Sequence, residues 1–238
     1  MMTIEVCVDN VDSVINAAKA GAHRLELCSA LSAEGLTPTP GFVGFAKNHS
    51  NCSLQVMIRP RSGDFYYSKL EKELMLQDLK QLTNIGIDGF VIGALDENNQ
   101  IDIKFLTSFL NFAQQNKLET TFHRAIDLTP DYMESLQTLC DLGFTRVLTS
   151  GQEKDVSTGI ENIKLAQHKF GNRIQIMPGG GISSDNVLNI VNKTKVSHVH
   201  CSASSTICRD NRNKVFDQSS LKIKITNYEI LHSIVSQL

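Results

Sequence analysis

Along this chain, short runs rich in aliphatic and β-branched residues alternate with longer segments whose apolar residues recur at helical spacing. The strand-like runs are Ile4–Val8, Arg24–Cys28, Leu54–Ile58, Gly89–Gly93, Thr120–His123, Arg146–Ser150, Ile174–Met177 and His198–Ser202. Helical patterns between them include Val11–Ala20, Lys69–Asn84, Asp102–Asn116, Tyr132–Leu142, Gly159–His168 and Ser184–Val191. Eight β–α alternations predict one α/β domain over residues 1–238, a (β/α)8 barrel of the TIM type with a C-terminal helix. An open doubly wound sheet is the alternative, and so many units favour the closed cylinder. The tail Thr226–Val235 reads as the last helix, with Thr226 and Glu229 forming a capping box. Ala203–Ser220 is polar and aperiodic, and reads as a loop after the eighth strand.

Within the strands the pattern has period two, which parallel strands covered on both faces do not ordinarily show. Ile4, Val6 and Val8 alternate with Glu5 and Cys7; Leu25 and Leu27 with Glu26 and Cys28; Val56 and Ile58 with Gln55, Met57 and Arg59. Ile174 and Ile176 alternate with Gln175 and Met177, and Val199 stands between His198 and His200. Side chains change face at each residue, so the aliphatic set meets the helices and the polar, sulfur-bearing set points into the barrel, with Thr121 and His123 joining it. Such an interior is costly unless its charges pair. A self-satisfying network of Glu5, Glu26, Arg59 and Arg124 is the purely structural account; the clustering of polarity at strand C-terminal ends favours a functional one.

The 238 residues are 41% hydrophobic and carry a formal charge of −2, enough for a sizeable core and too little positive charge for a nucleic-acid surface. No apolar run is long enough to span a bilayer, and the start shows no secretory signal pattern, so a cytoplasmic, reducing setting without membrane partners is expected. Six cysteines occur with no C-x-x-C spacing, which argues against a zinc ribbon or a disulfide framework.

Three constellations carry chemistry. Glu5-Val6-Cys7 and Glu26-Leu27-Cys28 repeat one pattern on consecutive strands; paired in register, their sulfurs stand ~5 Å apart and can clamp a soft cation, Cu(I) above all. Met57 and Met177 can add thioethers, and His123 or His200 an imidazole. Buried free cysteines as plain apolar residues, or a redox-labile disulfide between the pair, are the alternatives. Gly179-Gly180-Gly181 follows the seventh strand, where barrels commonly cradle anions, and Ser202 after the eighth adds a hydroxyl. A third group, Arg59, Arg61, Asp64, His123, Arg124 and Asp127, gathers around the same mouth. It suits an enzyme acting on a small phosphorylated or carboxylated substrate, with His123 as acid or base, Glu5 or Glu26 as its partner, and Arg59 and Arg61 holding charge. Arg61 and Asp64 serve equally as a loop-ordering ion pair. No lysine ends a strand, which disfavours Schiff-base chemistry.

At these residues the chain resembles the CutC copper homeostasis family. The matching segments are Glu5–Asp9, Arg24–Ser29, Gly35–Pro38, Val56–Phe65, Thr121–Asp127, Leu148–Gly151, Met177–Ile182 and His200–Ser202. The family commonly has glycine where Glu34 stands and phenylalanine where Ile126 stands, and neither departure touches the proposed ligands. The resemblance implies a cytoplasmic barrel protein associated with copper tolerance, a tendency to form homo-oligomers, and Cys7 and Cys28 as Cu(I) ligands.

Overall fold

The computed structural model describes residues 2–208 and 222–238. Eight parallel strands form its centre: β1 (Thr3–Val8), β2 (Arg24–Leu27), β3 (Ser53–Met57), β4 (Gly89–Ile92), β5 (Glu119–Phe122), β6 (Arg146–Thr149), β7 (Gln175–Pro178) and β8 (His198–Cys201). The hydrogen-bonded ladder runs β7-β6-β5-β4-β3-β2-β1-β8, and β7 lies beside β8, which nearly closes the cylinder. Seven helices cover its outside: α1 (Val11–Ala20), α2 (Pro40–His49), α3 (Lys69–Thr83), α4 (Ile103–Asn116), α5 (Tyr132–Leu142), α6 (Ile160–Phe170) and α7 (Val187–Thr194). The architecture is the (β/α)8 barrel the alternation predicts, and each strand lies within one residue of its expected bounds.

Local chemistry sets the helix ends. Asn10 caps α1 by accepting from the Ser13 amide, and Gly21 ends it in the left-handed region at φ +97°. Ser68 and Glu71 form a reciprocal capping box on α3. The outward-facing Val6, Val8, Leu25, Leu27, Val56, Ile58, Ile176 and Val199 are buried in one continuous core with the helices. Each such side chain contributes roughly 1.5–3 kcal/mol by leaving water. Cys28, Met57 and Val91 form a separate small cluster on the inner side.

Three expectations are corrected. Ala203–Ser220 is not irregular throughout: β9 (Ser204–Cys208) pairs antiparallel with β10 (Lys222–Thr226), Ile207 opposite Ile223. The part of the expected loop at residues 209–220 lies outside the described residues. The last helix, α8 (Tyr228–Val235), is capped by Asn227, whose side chain accepts from the Ile230 amide. Thr226 instead ends β10, its amide donating to Ser13 Oγ at 2.9 Å, so the expected capping box with Glu229 does not form. α2 has no place among the helical patterns read from the sequence, because Gly41 and Gly44 dilute its apolar face; Thr39 nevertheless caps it.

Candidate functional site

Polar side chains stand at both ends of the lumen, and the two ends differ. At the N-terminal end, Arg146 is fully buried and donates to Gln175 Oε1 (3.0 Å), Thr121 Oγ1 (2.8 Å) and Glu119 Oε2 (2.9 Å). Arg24 Nε is paired with Glu5 Oε2, and Arg24 Nη2 reaches Met177 Sδ at 3.4 Å. The arginines of the interior network are therefore Arg24 and Arg146, not Arg59 and Arg124 as expected. Arg24 stands two residues before Glu26 and so shares its face, a signal already present in the alternation. Burial pushes the Glu5 carboxyl up, but the hydrogen bond from His200 and the charges of Arg24, His200 and Arg146 outweigh it and hold it at about 2.

At the C-terminal end a cavity of about 420 Å³ opens. Of the expected site residues, Cys7, Glu26, Arg59, His123, Gly180, Gly181 and Ser202 line it, together with His200 and Arg124. Gly179 lies beneath, against Leu148 and His200. Arg61 is not among the lining residues: its guanidinium is bound by Glu71 (2.6 Å) and Asp64 (2.9 Å). Arg59 donates to Ala33 O, Gly35 O and Gly63 O at 3.0, 3.1 and 2.8 Å, stapling the loops after β2 and β3. Asp127 accepts from the Thr149 hydroxyl, the Ser150 amide and hydroxyl, the Gln152 amide and Arg124, so it ties the β6 loop to the short turn after β5.

The register of β1 on β2 changes the sulfur constellation. Cys7 is opposite Glu26, and Glu5 opposite Arg24. The two matched Glu-x-Cys patterns are staggered by two residues, as barrel closure requires, so they do not pair in register and Cys28 lies beyond Cys7. Cys28 is buried, its Sγ 3.7 Å from Glu26 Oε2; burial and the neighbouring Glu26 and Cys7 push this thiol well above its usual range. The ligand-type atoms that do converge belong to Cys7, Glu26 and His200, all within 4.8 Å of one another. His200 Nδ1 is 2.8 Å from Glu5 Oε1, which turns Nε2 toward Glu26 Oε2 at 3.7 Å. Burial raises the Glu26 carboxyl to about 7, opposed by the His200 charge and reinforced by Glu5. His200, expected only to supplement the two sulfurs, is brought to the centre of the set by the stagger between strands.

His123 is also buried, at 5% exposure, under Phe65 with ring centroids 4.7 Å apart. Its Nδ1 accepts the Ala125 amide at 3.0 Å. The fit against β4 is close: a Cβ on Gly93 would fall 2.2 Å from His123 Cε1, so only glycine leaves room for the ring. Burial and the Arg59 charge lower this imidazole to about 3, too acidic for the acid–base role expected of it near neutrality.

A nearly closed (β/α)8 barrel whose C-terminal mouth holds a thiol, an imidazole and a carboxyl within bonding reach of one ion defines a barrel protein with a candidate metal-binding mouth. The CutC family sequence model matches residues 2–205. The chain is 38% identical over 242 residues to a CutC family protein of Vibrio campbellii, covering 99% of this chain and 98% of that one. It is 44% identical over 203 residues to the human copper homeostasis protein cutC homolog, covering 85% and 74%. The crystal structure of the copper homeostasis protein CutC from Streptococcus agalactiae superposes with a TM-score of 0.80 at 34% identity, over 85% of this chain and 99% of that one. The chain belongs to the CutC family. Among the described residues no helix is long and apolar enough to cross a membrane.

Proposed function

We propose that this protein serves copper homeostasis in the cytoplasm by binding Cu(I) in the barrel mouth, with Cys7 and the Nε2 of His200 as principal ligands and Glu26 at the edge of the set. The observation that supports this reading is the convergence of these three groups within 4.8 Å. A thiolate and an imidazole suit a soft monovalent ion. Glu5 on the far nitrogen orients the ring, as carboxylates commonly do behind metal-bound histidines. Cys28, in this proposal, stays a protonated thiol behind Glu26 rather than a second ligand. Titration of reduced, metal-free protein with Cu(I) against a chromophoric chelator is expected to give a single bound ion. Cys7→Ser should lose it and Cys28→Ser should keep it. Loss of the ion in both variants would restore the paired-cysteine site, and retention in Cys7→Ser would remove the present one. A homo-oligomeric state accompanies the proposal and is read by light scattering.

A second reading is favoured by the size of the mouth. Its 420 Å³ falls within the roughly 300–1,000 Å³ of small-molecule sites and exceeds what an ion needs. In this reading the barrel is an enzyme acting on a small phosphorylated or carboxylated substrate, with Glu26, near 7, as the proton-transferring group. Inorganic phosphate or 2-phosphoglycolate should then raise the melting temperature. No shift with either sinks it.

A further inference from the structure

His123 takes no part in the copper set, yet its ring is firmly held in the cavity wall. Because Nδ1 accepts the Ala125 amide hydrogen, the ring proton must sit on Nε2. That nitrogen is buried and has no acceptor among the described residues. A buried donor without a partner is costly, so a lone N–H on a residue of the cavity wall points to a ligand oxygen. The ring cannot turn to another partner, since Gly93 holds one edge and Phe65 covers its face.

A second feature adjoins the first. Arg124 follows His123 in the chain, and its guanidinium packs over Gly180, where a Cβ would meet Nη1 at 3.1 Å. Gly180 and Gly181 both have positive φ, +92° and +95°, a backbone that other residues rarely adopt. Their amide hydrogens have no acceptor among the hydrogen bonds of the described residues. Two free amides under a guanidinium form an anion-binding surface. Asp127 lies close by and takes Arg124 Nε at 2.9 Å, but four other donors share its charge, and Arg124 Nη1, the atom over Gly180, has no acceptor among the described residues.

We infer that the mouth binds a small organic phosphate carrying a carbonyl or carboxylate oxygen, with His123 Nε2–H donating to that oxygen and the Gly180 and Gly181 amides with Arg124 holding the phosphate. This inference rests on the second reading above and gives His123 a different part in it: a fixed, neutral donor that orients and polarises the oxygen, not a proton shuttle. Burial and Arg59 keep the ring uncharged across the working pH range, which preserves that role.

The test uses the full-length, metal-free protein and calorimetry with two probes. 2-Phosphoglycolate carries both the phosphate and the oxygen, and methyl phosphate carries the phosphate alone. Wild type should bind the first at least 10-fold more tightly. His123→Asn keeps a cap for the Ala125 amide but has nothing in the place of Nε2. It should reduce the preference to within about 3-fold and leave methyl phosphate unchanged. His123→Gln, which can place an amide N–H near the lost position, should recover part of it. A preference that survives in His123→Asn would overturn the role of His123 while leaving the second reading intact. If neither probe binds, both fall. Should the asparagine variant not fold, loss of the preference in His123→Phe, unrestored in His123→Gln, would also count against the donor role.

Discussion

The two ends of the lumen solve the same problem in opposite ways. At the base, each buried cation has a carboxylate: Arg24 has Glu5, and Arg146 has Glu119. The lone buried atoms there, Gln55 Oε1 and His198 Nδ1, belong to neutral groups. At the mouth the buried atoms without partners sit on Glu26, Arg59 and His123. The carboxyls report the same contrast, Glu5 held at about 2 and Glu26 raised to about 7. Charge that is paired holds a barrel together; polarity left open on charged and titratable groups is poised for something the protein does not itself supply. The lumen thus divides into a frame and a site.

The largest effect should come from breaking the frame. Arg24→Leu leaves Glu5 buried with its His200 hydrogen bond and the Arg146 charge but without its ion-pair partner, and removal of one partner from a buried pair typically costs about 3–5 kcal/mol. Urea unfolding at neutral pH measures it. A loss below 1 kcal/mol would mean that the base is no more tightly paired than the mouth.

The next effect belongs to the mouth and depends on pH. Folded His123 takes up a proton only near pH 3, whereas the unfolded residue does so near 6.5. Between those values the unfolded chain binds more protons, so this group withdraws stability as pH falls from 6.5 toward 3 and contributes no pH dependence above 6.5. Arg59 is the charged neighbour that adds to burial in setting the shift. His123→Phe loses the hydrogen bond to Ala125 at every pH, but it should also lose this acid sensitivity. From pH 7.5 to pH 5 wild type should therefore shed about 2 kcal/mol more than the variant. Parallel stability curves would show that His123 is hydrated rather than enclosed.

How much of this was readable beforehand follows from what each feature depends on. The period-two alternation was legible because the outer face of every strand meets helices and must be apolar, whatever the register. Glu5, Glu26 and His200 could therefore be placed inside from sequence. Register could not: whether Cys7 faces Cys28 or Glu26 is decided by the stagger that closes the cylinder, and that stagger leaves no mark on either strand alone. The His123 tautomer was equally hidden, since it is set by the backbone amide of Ala125 in a turn that follows the strand. Arg24 was legible and overlooked. It falls in the inward series of β2, but as the first residue of its strand it reads like a solvated end.

The smallest effect tests where the site stops. Arg61 follows β3 and looks, by sequence position, as well placed for an anion as Arg124. Its surroundings say otherwise. Its side chain is 38% exposed and bridges Asp64, itself 72% exposed, and Glu71. Its guanidinium lies 5.4 Å from the Tyr67 ring centroid, outside the cavity wall. Exposed pairs of this kind contribute about 0.2–1 kcal/mol, screened by salt. Glu71 would remain engaged after the change, because it also accepts the Ser68 amide at 2.7 Å in the α3 capping box. Arg61→Met should accordingly cost under about 1 kcal/mol in urea unfolding and leave 2-phosphoglycolate affinity as in wild type. A 10-fold loss of that affinity would extend the mouth across the β3 loop. The open polarity would then reach beyond the Gly180 side, and the boundary between frame and site would have to be redrawn around Arg61.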